Sequence, residues 1–108
     1  MTSTLPGDAP LTLPNTLTIK NILAVREIIL EHLTSHSATI LDVDGEAQVD
    51  LSFVQLLTAA RKHAEMRAGK VVLARPATGD LYDVLKRGGF LDEMTSDAAH
   101  FWLHQEKN

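Results

Sequence analysis

The chain has 108 residues, with ten Lys and Arg against fourteen Asp and Glu, and a formal charge of −4 at pH 7. Its 44% apolar and 22% charged residues have the balance of one ordinary globular domain, which at this size buries roughly two-thirds of its unfolded surface. The absence of cysteine excludes disulfides, thiolate metal sites and a thiol nucleophile, and the acidic balance with a single Trp and Tyr argues against a nucleic-acid binder.

Residues 1–9 are small, polar and turn-prone and read as a flexible tail, which leaves 10–108 as the domain. Residues 10–13 begin a strand, Pro14 and Asn15 turn the chain, and 17–19 extend again. Ile22, Val25, Ile29 and Leu33 then recur at helical spacing, with Leu23 and Leu30 widening the stripe, so an amphipathic helix spans 21–35 with Asn21 as its N-cap. Residues 38–43 form a short buried strand. A second helix over 52–68 carries Phe53, Leu56, Leu57, Ala60 and Ala64 on its buried side and stops at Gly69. Residues 70–74 are the next strand. A shorter helix capped by Gly79 or Asp80 carries Leu81, Val84 and Leu85 and ends at Gly88 and Gly89. Phe90 and Leu91 are expected to pack back on the core, and 99–103 (AHFWL) read as a last strand. Strands alternating with helices imply α/β layers around a small open sheet of four to five strands with three to four helices.

Most catalytic motifs are missing. No glycine-rich turn links a strand to a helix, the Gly69-Lys70 pair lacks the rest of a phosphate-binding loop, and no Ser sits in a GxSxG elbow. His32 and His36 have the i, i+4 spacing of two metal ligands, and His100 and His104 share one face of the last strand. The favoured reading of both pairs is solvated histidine, and no metal or cofactor is expected. Asp42, Asp44 and His63 are the residues a small enzyme would have to use, and a non-enzymatic role is preferred. No apolar run reaches the roughly 18 residues of a membrane span and no targeting segment is evident, so the expected location is the cytoplasm.

The informative stretch is 39–57, TILDVDGEAQVDLSFVQLL. A buried strand ends at Asp42, a polar loop follows, and Asp50 or Leu51 opens a helix with the Ser52 hydroxyl in its first turn. Unpaired amides and the positive end of the helix dipole stabilise a negative group there, although Ser is an ordinary residue at a helix start.

The order of elements over 11–103, and above all LDVDGEAQVDLSFVQLLTAARKHAEMRAGKVVL, resembles a STAS domain, the fold of anti-sigma-factor antagonists and of the cytoplasmic ends of sulfate transporters. Asp42 matches the family's strand-end Asp, Asp50 the Asp of its Asp-Ser-Ser-Gly motif, Ser52 the second Ser, and Gly69-Lys70 a later pair. Residues 88–91, Gly-Gly-Phe-Leu, match the turn after its closing helix. Leu51 replaces the first motif Ser, Phe53 the motif Gly, and Thr18 stands where many relatives carry Asp. In the antagonists the second Ser is phosphorylated by an anti-sigma factor that is also a serine kinase. The resemblance implies the same switch for Ser52, with Asp50, Leu51, Phe53, Gln55, Thr18 and Asp44 as partner-binding residues. Phe53 has three open roles: shielding the hydroxyl, packing in the core, or contacting the partner. Other STAS domains serve transporter ATPases or chemotaxis kinases, so an unphosphorylated adaptor is the alternative.

Overall fold

Every strand pair among residues 8–105, the part of the chain that the computed structural model describes, runs parallel, so each pair needs a crossover connection. The elements follow as β1 (Asp8–Thr12), β2 (Thr16–Leu17), α1 (Ile22–Ser35), β3 (Ala38–Asp42), β4 (Gln48–Val49), α2 (Leu51–Met66), β5 (Lys70–Leu73), α3 (Gly79–Arg87) and α4 (Ser96–Leu103). The tail reading for residues 1–7 lies outside the described part, whereas Asp8 and Ala9 already pair in β1 with Ala38 and Thr39.

The main sheet has the order β1-β3-β5. Pro10 lies opposite Ile40 on the edge strand β1, where a missing amide is tolerated. Leu41 of the central strand lies between Leu11 and Leu73. The two crossovers step the same way along the sheet, so right-handed connections put α1 and α2 on one face, where they pack on each other and on β3 and β5. Val25, Ile29 and Leu33 of α1 meet Phe53, Val54, Leu57, Ala60 and Ala64 of α2 in the core.

β2 and β4 form a separate two-stranded sheet that pairs Leu17 with Val49. Gln48 donates its amide to the Asn15 carbonyl at 2.8 Å and Asp50 to that of Leu17 at 3.3 Å. β4 leads through Asp50 alone into α2, and β2 through the four-residue loop 18–21 into α1, so their parallel pairing brings that loop beside the start of α2. Asn21 occupies the N-cap position of α1, but its side chain turns back: Oδ1 accepts from the Thr18 amide and Nδ2 donates to the Thr16 carbonyl.

Two glycines are required by close approach. A Cβ on Gly69 would lie 2.8 Å from the Ser37 carbonyl oxygen, and one on Gly79, at φ +59°, would lie 2.3 Å from that of Gly45. The helix stop before β5 is made by Ala68, which itself adopts a positive φ of 59°.

Several sequence expectations change. Residues 99–103 are not a strand but belong to α4, capped by Thr95, whose hydroxyl accepts from the Ala98 amide at 3.0 Å. The apolar positions 98, 101 and 102 follow a helical spacing, which buries Phe101 and Trp102 edge-to-face at 4.8 Å. Leu23 does not widen the buried stripe of α1; it is 73% exposed. Phe90 is exposed, with its ring against Gly88, while Leu91 packs on the core.

Candidate functional site

Asp50 is the N-cap of α2, with extended backbone torsions. Its Oδ1 accepts from the Ser52 amide at 3.0 Å and from the Ser52 hydroxyl at 2.5 Å. Oδ2 accepts from the Ile19 amide at 2.9 Å, across 31 residues of sequence. That last bond follows from the β2–β4 pairing, which brings residues 18–21 beside the start of α2. Partial burial pushes the Asp50 carboxyl upward, but the Ser52 hydroxyl and the Ile19 and Ser52 amides outweigh it and hold the group below its ordinary value. Ser52 is half-buried, and its hydroxyl is directed by Asp50.

The two segments that Asp50 joins at this hydroxyl carry exposed apolar side chains. Leu51 is 45% exposed and Ile19 68%. Leu23 stands one turn further along, in the first turn of α1. Large apolar side chains left in water next to one polar group are the composition of a contact surface. Gln55 is exposed in the next turn of α2, and Thr18 is half-buried, its amide held by Asn21 and its hydroxyl accepting from the Lys20 amide.

Two expected members of the face lie elsewhere. Phe53 is fully buried in the core, so it neither shields Ser52 from solvent nor offers itself to a partner. The cause is helix phase: position 53 shares the inward stripe with 57, 60 and 64, whereas 51, 52 and 55 point away from it. Asp44 makes no hydrogen bond to the Asp50 cluster. It accepts from the Glu46 amide at 2.8 Å inside its own loop and lines a hollow of about 200 Å³ with Val43, Arg75 and Thr78. Ile19 and Leu23 are the exposed apolar residues that sequence reading missed, having placed Ile19 in an extended segment and Leu23 in the buried stripe of α1.

The other titratable candidates are dispersed. Asp42 pairs with Arg75 at the ends of β3 and β5. His32 and His36 are not simply solvated: their rings stack at 4.1 Å, His32 Nδ1 meets the buried Thr39 hydroxyl at 3.1 Å, and His36 Nδ1 donates to the His32 carbonyl at 3.0 Å. His100 Nδ1 donates to the Gln105 carbonyl, and His104 Nε2 to that of Leu73 at 3.0 Å. His63 is exposed on α2 beside a hollow it shares with His36 and Arg67. Among the described residues, no three His, Asp or Glu side chains gather as a metal site would require.

Comparison with known families decides the kinship, since the model of the STAS domain matches residues 1–107. The chain belongs to the STAS domain family. No curated protein and no solved structure matches it significantly. STAS domains mediate protein–protein interaction, which gives this one a regulatory or binding role. Among the described residues of this STAS domain, no helix is long and apolar enough to cross a membrane.

Proposed function

We propose that this STAS domain is a non-enzymatic switch that docks an anti-sigma-type serine kinase through the face around Ser52 and leaves it when that hydroxyl is phosphorylated. The observation that carries the reading is that Asp50 joins, at the start of α2, the hydroxyl of the half-buried Ser52 to the segment of the exposed Ile19, with the exposed Leu51 next in sequence. Apolar groups of this kind supply affinity once water is excluded from them. A phosphate adds about −1.5 to −2 charge in their midst, favourable to the helix start but costly to an apolar interface. In the transfer, the Ser52 Oγ–phosphorus bond forms as the terminal phosphoanhydride bond of the kinase's nucleoside triphosphate breaks. The hydroxyl proton passes by way of Asp50 Oδ1, which it already faces, to water, so that Asp50 ends as a carboxylate, and nucleoside diphosphate departs with the kinase. A cytoplasmic location accompanies this reading, since the nucleotide is there.

One observation favours a second reading. The Asp50 carboxylate already occupies the amide at the start of α2 and stands 2.5 Å from the acceptor oxygen, where it repels an incoming phosphate. An adaptor for a chemotaxis kinase or a transporter ATPase would use the same face without modification. Incubation with the cognate kinase and ATP separates the two. The switch adds one phosphate, absent in Ser52→Ala; Ser52→Ala stays bound to the kinase, and Ser52→Asp binds more weakly. The adaptor takes up no phosphate, and Ser52→Ala binds as the wild type does.

A further inference from the structure

We infer that the Asp50 carboxylate is a latch that carries the state of Ser52 to the apolar loop bearing Ile19. Its two oxygens serve two different segments: Oδ1 holds the amide and hydroxyl of Ser52 at the start of α2, and Oδ2 holds the amide of Ile19 between β2 and α1. The remaining bonds of residues 18–21 are local. The Thr18 amide goes to Asn21 Oδ1, the Asn21 amide to the Thr18 carbonyl and the Lys20 amide to the Thr18 hydroxyl. Asp50 is therefore the side chain that ties the tip of this loop to α2. Phosphorylation removes the hydroxyl hydrogen that now bonds Oδ1 and puts anionic oxygens in its place. These repel the carboxylate and compete with it for the Ser52 amide. The carboxylate turns away from both, and the Ile19 amide loses its acceptor. Ile19, 68% exposed, is then no longer held at the start of α2 by its amide. The phosphate thus acts on the docking face by releasing one of its apolar members as well as by its own charge. The phosphate itself rests on the switch reading, whereas the latch is a property of the unmodified fold.

The test installs phosphoserine at position 52 during translation, so it needs no kinase, and follows the Ile19 amide by NMR. Loss of one hydrogen bond should speed its exchange with water by about three- to tenfold. Asp50→Asn is the companion variant. Asn caps a helix as well as Asp does, but its amide nitrogen offers Ile19 no acceptor, so Ile19 exchange should rise while the Ser52 amide stays protected. Phosphoserine in the Asp50→Asn background should then add little at Ile19, because the latch is already open. Unchanged Ile19 exchange in the phosphoserine chain, or a full further increase in the Asp50→Asn background, would overturn the latch. A kinase that never modifies Ser52 would instead sink the switch reading and leave the Asp50→Asn result to judge the latch.

Discussion

Truncating Phe53 to alanine should cost the fold about 4 kcal/mol. The side chain is fully buried. At about 25 cal/mol per Å², removing roughly 150 Å² of aromatic surface accounts for that figure, which lies within the 3–5 kcal/mol typical of Phe→Ala in packed cores. Native stabilities are about 5–15 kcal/mol, so the loss is a large fraction of the total and lowers the melting temperature by on the order of 15 °C at this chain length. Urea unfolding followed by far-ultraviolet circular dichroism, and by the fluorescence of the buried Trp102, reads it directly. The midpoint should drop with no change in slope. Leu51→Ala, two residues earlier in the same helix turn and 45% exposed, should stay within about 0.5 kcal/mol of wild type. A loss below about 1 kcal/mol for Phe53→Ala would refute the helix phase and return Phe53 to the docking face.

Leu57→Asp, which buries an unpaired charge one turn further along α2, should leave the chain unfolded; a cooperative melt near the wild-type temperature would reject the core assignment. Asp50→Ala should destabilise by about 1 kcal/mol through the lost cap, and Asp50→Asn by much less, in the same urea titration. Because the folded Asp50 titrates below its ordinary value, its contribution is present above about pH 4 and disappears as the pH falls through the folded value. The acid limb of a stability–pH curve should therefore flatten in Asp50→Asn. His32 behaves differently: burial first, then the neighbouring His36, lowers its value, so the fold disfavours its proton and loses stability as the pH falls below about 6.5. His32→Gln should shrink the drop in melting temperature between about pH 7 and pH 5, and an undiminished drop would place the effect elsewhere.

The parts of the fold that were legible in the sequence are those with a long local period. Val25, Ile29 and Leu33, and Phe53, Leu57, Ala60 and Ala64, announced the two crossover helices, and Asp50 two residues before Ser52 announced a capped start. Short elements were less readable. β4 has two residues, too few to show any alternation, and 99–103 looked like a strand because four apolar residues in five outweighed the Thr95 cap that precedes them. The site was half legible. Asp50 and Ser52 are local partners, whereas the bond from Ile19 to Asp50 spans 31 residues and exists because β2 and β4 pair in parallel. Exposure of Leu23 has the same origin: the register of the whole α1 helix on the sheet decides it, not the residue's own hydrophobicity.

Titration calorimetry of the cognate serine kinase against two forms of the chain, unmodified and carrying phosphoserine at position 52, tests the central claim most directly. The account expects the unmodified form to bind and the phosphoserine form to bind at least about tenfold more weakly, with charge and desolvation at the Ile19–Leu51 face as the cause. Equal affinity of the two forms would contradict it.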